Sequence, residues 1–208
     1  MKKLFVFISL LSLLSLFIWL SLLKTQNLTS NIGSNQAKSI YLQAFTNVPT
    51  KDILRLKNQL QFALKLDSSH IKIVAPISLP AWALNQTKTR YRADSLLKLL
   101  NKLCPSDGVI LGICYSDISS TKGIHKDWGI MGLGYCPGKA CIISNYRLKG
   151  ANKLEKLGKL ALHEYGHTQG LKHCSTITCL MRDAEGKDHL NEMTGFCESC
   201  LKIITKTY

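Results

Sequence analysis

The sequence predicts an α+β fold, in which a mixed, twisted β-sheet carries helices packed against it. Three observations lead to this prediction. Strand-like and helix-like segments alternate between residues 39 and 115, which is typical of a sheet with covering helices. Two strand-like segments then follow one another directly, and a long helical segment comes after them. Beyond residue 173 the chain is irregular apart from one short helical segment.

A long apolar run opens the chain. Residues 4–23, LFVFISLLSLLSLFIWLSLL, are all apolar or serine and carry no charge. As a helix at about 1.5 Å per residue, such a run crosses the roughly 30 Å hydrocarbon core of a bilayer. Because Lys2 and Lys3 precede the run and no small-residue cleavage site follows it, we expect residues 1–24 to be an uncleaved membrane anchor. The rest of the chain is then expected outside the cytoplasm. The alternative is a cleaved signal peptide and a secreted or periplasmic product.

A linker and one domain are predicted after this run. Residues 25–37 are polar and small, which is typical of a linker, and residues 38–208 have a normal length for one domain with its own core. The net charge of the chain is +14. Because the lysines are scattered and no helix concentrates them beside aromatic residues, we expect no nucleic-acid partner.

The elements of the domain are predicted from the spacing of apolar residues. A spacing of three and four residues favours a helix, alternation favours a strand, and a short apolar run between turn signals favours a buried strand. The tetrapeptide CPGK is suited to a hairpin between two strands. In chain order we predict strands at 39–45 and 70–76 with a helix at 50–64 between them, a helix at 92–103, a buried strand at 107–115, strands at 128–135 and 139–148, a helix from 152 to Gly170, and a short helix near 197–206.

The end of the long helix carries two histidines around one carboxylate. His163 and His167 are four residues apart, so they lie on one face of a helix about one turn apart. This spacing is typical of two ligands of one tetrahedral metal ion. Glu164 lies one step round the helix, where it can stand beside a metal-bound water without being a ligand.

Gly170 and His173 complete the pattern. A glycine in a left-handed conformation can end the helix and turn the chain, so that His173 returns as a third ligand. Three protein ligands leave a fourth position for water, which is typical of catalytic rather than structural zinc. We therefore predict a catalytic zinc site at His163, His167 and His173, with Glu164 as the catalytic residue.

The pattern H-E-x-x-H-x-x-G-x-x-H followed by a methionine is similar to that of the metzincin zinc proteases. Within that clan the sequence resembles the archaemetzincins, whose motif continues with two cysteines, a methionine and a later C-x-x-C pair. The matching residues here are Cys174, Cys179, Met181, Cys197 and Cys200. The resemblance implies a metzincin-like mixed sheet with an active-site helix and a small, irregular, zinc-stapled C-terminal part. Some metzincin families carry a tyrosine two residues after the methionine, but here that residue is Asp183, so no oxyanion-stabilising tyrosine is expected.

The resemblance also implies a second, structural zinc ion. Its ligands would be Cys174, Cys179, Cys197 and Cys200, which gives two zinc ions per chain; by spacing alone, two disulfides are the alternative. Met181 is expected in a turn beneath the catalytic metal, although an ordinary core methionine would also fit. Cys136 and Cys141 flank the segment PGKA and could form a disulfide across a hairpin.

These features predict a zinc-dependent peptidase that hydrolyses peptide bonds with a zinc-bound water activated by Glu164. Its substrate would be a peptide or protein, and both endopeptidase and aminopeptidase action remain open. We expect the strand at 139–146 to be the sheet edge on which an extended substrate adds. The alternative is a catalytically silent zinc-binding module for a peptide or protein partner, in which Glu164 would have no use.

Overall fold

The computed structural model describes residues 38–205 of the chain. Eight strands and four helices lie in this part. The strands are β1 (Ser39–Phe45), β2 (Ile71–Ile77), β3 (Tyr91–Arg92), β4 (Gly108–Cys114), β5 (Ile118–Lys122), β6 (His125–Ile130), β7 (Gly132–Gly134) and β8 (Ala140–Ser144). The helices are α1 (Thr50–Leu64), α2 (Ala93–Leu103), α3 (Lys153–Thr168) and α4 (Glu198–Thr205).

Five strands form the main sheet, in the order β2-β1-β4-β8-β7. β1 pairs in parallel with β2 and β4, and β4 pairs in parallel with β8, whereas β7 and β8 are antiparallel. Every residue of β1, β4 and β8 is buried, as expected for central strands covered on both faces. The predicted α+β fold with a mixed sheet is confirmed.

The sheet separates two apolar cores. Alternate residues of β1 belong to opposite cores: Ile40 and Leu42 pack with α1 and α3, whereas Tyr41 and Phe45 pack with α2. One face of the sheet therefore carries α1 and α3, and the other carries α2. This arrangement lays α3, the predicted active-site helix, along the face next to β7 and β8.

A second, three-stranded sheet was not predicted from the sequence. It has the order β3-β5-β6, with β5 and β6 antiparallel. β5 has one apolar residue among its five, and β3 has only two residues, so neither gives a clear periodic signal. The predicted single strand at 128–135 is in fact divided at Met131, because β6 belongs to the small sheet and β7 to the main one.

The predicted edge strand at 139–146 is wrong. β8, which occupies most of that segment, lies between β4 and β7, and all five of its residues are buried. The edge of the main sheet at this end is instead β7.

The predicted transmembrane helix and membrane-anchored location are also corrected. Within residues 38–205, no helix is long and apolar enough to cross a membrane. The longest, α3, has 16 residues, which at about 1.5 Å each extend about 24 Å, short of a roughly 30 Å hydrocarbon core. The segments predicted as anchor and linker, 1–24 and 25–37, lie outside the described residues.

Candidate active site

Helix α3 places two imidazoles side by side. The Nε2 atoms of His163 and His167 lie 3.1 Å apart. The Nδ1 atom of His163 is 2.6 Å from the carbonyl oxygen of Leu180, and that of His167 is 2.7 Å from the carbonyl oxygen of Leu171. Because a carbonyl oxygen can only accept, each Nδ1 carries the proton and donates it. The unprotonated Nε2 atoms are therefore left facing one another.

The third imidazole reaches the same place through the turn predicted at Gly170. Gly170 has a φ of +90°, the left-handed conformation that glycine adopts readily, and it follows directly after the end of α3. The ring of His173 then lies 5.4 Å from that of His163 and 5.0 Å from that of His167, centroid to centroid. One nitrogen from each of the three rings lies within 4.8 Å of the others.

The surroundings keep the helical imidazoles neutral. Burial lowers the pKa of His163 to about 4, and burial also lowers the pKa of His167. A neutral imidazole has a free lone pair, so these two side chains are in the form that binds a metal ion.

Glu164 is buried between α3 and the edge strand β7. A Cβ atom on Gly132 would lie 2.4 Å from Oε1 of Glu164, and one on Gly134 would lie 2.9 Å from the carbonyl oxygen of Glu164. The two glycines of β7 thus make room for the glutamate. Burial among protein atoms raises the pKa of Glu164 to about 8, and a nearby dication would oppose that shift by favouring the carboxylate.

Met181 is buried against α3. It is fully buried, and its Sδ atom lies 2.5 Å from where a Cβ atom on Gly166 of α3 would be. The methionine therefore packs directly against the active-site helix, at the turn between His163 and His167.

The three histidines and Glu164 line an open cavity of about 620 Å³. Strands β6 and β7 form one wall, with Trp128 and Gly132 among its residues. The irregular segment after Met181 also lines the cavity, with Asp183 and Leu190 among its residues. The cavity is large enough for several residues of an extended peptide, and the imidazoles and the carboxylate face into it.

The predicted structural cysteines also converge. The Sγ atoms of Cys174, Cys179, Cys197 and Cys200 all lie within 4.8 Å of one another. Backbone N–H groups of Met181 and Cys197 donate to Sγ of Cys179 over 3.4 and 3.3 Å, but burial outweighs them and raises the pKa of that thiol. Hydrogen bonds from the Ser199 hydroxyl and the Cys200 N–H lower the pKa of Cys197 to about 6, whereas burial raises the pKa of Cys200.

Both donor sets fit zinc. Two imidazole nitrogens at about 2.0–2.1 Å from one tetrahedral ion are about 3.3 Å apart, close to the 3.1 Å between His163 and His167. Two thiolates at about 2.3 Å from one ion are about 3.8 Å apart, close to the 3.7 Å between Sγ of Cys174 and of Cys197. The four cysteines are free, not paired in the disulfides considered as the alternative.

The remaining cysteine pair is not joined either. Cys136 and Cys141 are both free, with Cys136 exposed and Cys141 buried inside β8. The possible disulfide between them is therefore absent from the structure. The Cys136 thiol instead lies 3.4 Å from the carbonyl oxygen of Leu171, to which His167 also donates.

Sequence reasoning missed the groups that hold the histidines. Two are the backbone carbonyls of Leu171 and Leu180, which no residue type reveals. The third is Asp183, whose Oδ2 atom lies 3.0 Å from Nδ1 of His173. Its position close after Met181 gives no signal of this contact.

Known proteins resemble this chain over most of the described part. Residues 63–206 match the model of peptidase family M54. An archaemetzincin of Nanoarchaeum equitans is 30% identical over 166 residues, which are 79% of this chain and 88% of that protein. The crystal structure of archaemetzincin from Methanopyrus kandleri superposes with a TM-score of 0.69 at 23% identity, covering 85% of this chain and 98% of that one. The Archaeoglobus fulgidus archaemetzincin, crystallised with malonate, gives a TM-score of 0.66 at 25% identity, with coverage of 79% and 99%.

Proposed function

Since the chain belongs to peptidase family M54, with archaemetzincins among its relatives, and is thus a zinc metallopeptidase, we propose that Glu164 is its general base and acid. The zinc ion would be held by Nε2 of His163 and of His167 and by His173. A zinc ion bound there supplies Lewis-acid polarisation of a peptide carbonyl and makes nearby water more acidic. The observation that carries the proposal is the buried Glu164 carboxylate in one cavity with three converging imidazoles.

Glu164 moves the proton. Its carboxylate takes a proton from the attacking water and then gives it to the nitrogen of the departing amine, so the carboxylate is regenerated. Its position next to His163 on α3, with β7 packed against it, holds the carboxylate at the cavity wall. A module that only bound a partner would gain nothing from a buried acid at this place, because burial of a carboxylate is unfavourable.

Strand β7 would align the substrate. It is the last strand of the main sheet at its end, and Gly132 and Gly134 line the cavity beside Glu164. The edge of β7 that does not pair with β8 can hydrogen-bond an extended peptide as a further strand. A peptide bound there would run past Glu164. β7 thus replaces residues 139–146 as the sheet edge on which we expect the substrate to add.

The four cysteines would hold a second zinc ion. Four thiolates around one ion leave no position for water, so this ion would be inert and would stabilise the fold. Neighbouring residues, His173 and Cys174, would then serve different metals. Met181 would support the catalytic site by packing under α3 without binding the metal.

The general-base role is tested with Glu164→Gln, which keeps the size of the side chain but removes its basicity. Hydrolysis of a mixed fluorogenic peptide library should fall at least about 100-fold, while zinc content and melting temperature stay at wild-type values. Glu185→Gln, an exposed change of the same kind, is the matched control. Retention of a tenth of the wild-type rate by Glu164→Gln would show that the general base is another group.

A further inference from the structure

The three histidines are held by different means. His163 and His167 lie on α3, and each donates to a backbone carbonyl of a buried leucine. His173 lies beyond the helix in irregular chain, and its side chain is 45% exposed. Its ring therefore needs support that the helix does not give. That support comes from a side chain, through the 3.0 Å contact between Nδ1 of His173 and Oδ2 of Asp183.

Asp183 is itself fixed. Its Oδ1 atom accepts a hydrogen bond from the backbone N–H of Glu185 over 2.9 Å, which closes a small turn. Glu185 has a φ of +47°, so the chain reverses directly after the aspartate. With Oδ1 engaged by the backbone, Oδ2 is directed at His173.

We propose that Asp183 is a positioning residue, which holds His173 as the Nδ1–H tautomer so that its Nε2 lone pair is free for the metal. The inference rests on the proposed zinc site at the three histidines. A carboxylate oxygen can only accept, so Nδ1 of His173 must be the donor and Nε2 must be unprotonated. Such pairing also fixes the plane of the ring and makes it a stronger ligand.

An amide and a carboxylate at this position favour different tautomers of His173. In Asp183→Asn the amide oxygen can keep the bond from Glu185, which turns the NH₂ group toward Nδ1 of His173. An NH₂ group can only donate, so Nδ1 would have to accept and the proton would move to Nε2. That tautomer cannot bind the metal through Nε2. The asparagine variant should therefore weaken the site although it fits the same space.

If Asp183 had a purely structural role, Asp183→Asn would keep the wild-type affinity for the metal. The side chain of Asp183 is 55% exposed, so its replacement by asparagine should leave the melting temperature of protein with an empty histidine site unchanged. The two explanations are therefore separated by metal affinity and spectroscopy, not by stability.

The experiment uses the full chain loaded with Co²⁺ at the histidines and Zn²⁺ at the cysteines, in wild type, Asp183→Asn, Asp183→Ala and a control, Asp67→Asn. Asp67 is an exposed aspartate whose Oδ1 accepts from the backbone N–H of Ser69 in the same kind of turn. Competition with a chelator gives the affinity of the histidine site. Proton NMR of the cobalt protein shows the exchangeable Nδ1–H protons of the ligand imidazoles as strongly shifted signals. Thiolate-bound cobalt is recognised separately by its intense near-ultraviolet absorption.

We expect Asp183→Asn and Asp183→Ala to bind cobalt about 10–100-fold more weakly than wild type, with unchanged melting temperatures when the histidine site is empty. Wild type and Asp67→Asn should show three shifted N–H signals, and Asp183→Asn should lose one. Wild-type affinity and three signals in Asp183→Asn would overturn the positioning role while leaving the zinc site intact. Failure of the wild-type histidines to take up cobalt at all would overturn both the role and the proposed function.

Discussion

Gly132→Ala should disable the active site without unfolding the protein. The new Cβ atom would lie 2.4 Å from Oε1, 2.7 Å from Cγ and 2.8 Å from Cδ of Glu164. Ordinary contacts between such atoms are at about 3.5–4.0 Å, so a displacement of about 1 Å is required. The end of a side chain moves more easily than the backbone of a paired strand, so the glutamate is what shifts. A displacement of about 1 Å at a catalytic group can cost about 100-fold in rate.

The assay is kcat/KM on a fluorogenic peptide, with zinc content and melting temperature measured on the same preparations. We expect kcat/KM to fall about 100-fold, zinc content to stay unchanged, and the free energy of unfolding to fall by about 1 kcal/mol. Gly195→Ala is the matched control, since its Cβ atom would meet no atom within 4 Å. If Gly132→Ala kept kcat/KM within about threefold of wild type, the packing of Glu164 against β7 would not control catalysis.

Two further predictions concern the segment after α3. Cys179→Ser should remove the metal of the cysteine site and lower the free energy of unfolding by about 3 kcal/mol or more. The kcat per folded molecule should stay unchanged. Zinc analysis and thermal melts measure the effect, and Cys136→Ser, at an exposed cysteine, is the control. A wild-type melting temperature in Cys179→Ser would contradict a stabilising metal there. Asp188→Asn should lower the free energy of unfolding by about 1–3 kcal/mol. The side chain of Lys156 is only 6% exposed, and the substitution removes the carboxylate whose Oδ2 lies 2.7 Å from its Nζ. Urea titration measures the change, and a value near zero would show that solvent replaces the aspartate.

Much of the fold could be predicted because its elements are periodic. α1 and α2 bury apolar residues at helical spacing. β4 is a continuous apolar run of strand length, and β1 is mostly apolar. The order of the strands in the sheet could not be predicted from this periodicity, because it depends on contacts between segments that are distant in the sequence. The buried sequence ACIIS of β8 is itself typical of a central strand, and it could have argued against an edge position for that segment.

The candidate site likewise contains residues that could be predicted from the sequence and residues that could not. His163 and His167 were predicted as neighbours because four residues make one turn of a helix, and Gly170 because its conformation is special. The contact of Asp183 with His173 joins residues in irregular chain, where no period relates sequence to space. The role of Gly132 likewise depends on a strand and a helix that meet only in the folded protein.

Anomalous X-ray diffraction at the zinc absorption edge, on crystals of the full chain purified without chelator, locates the metal ions directly. We expect two peaks per chain, one among His163, His167 and His173 and one among the four cysteines. Refined distances should be near 2.0–2.1 Å to the imidazole nitrogens and near 2.3 Å to the sulfurs. An absence of anomalous density at the histidines, in crystals of protein that hydrolyses peptides, would contradict the proposed catalytic site.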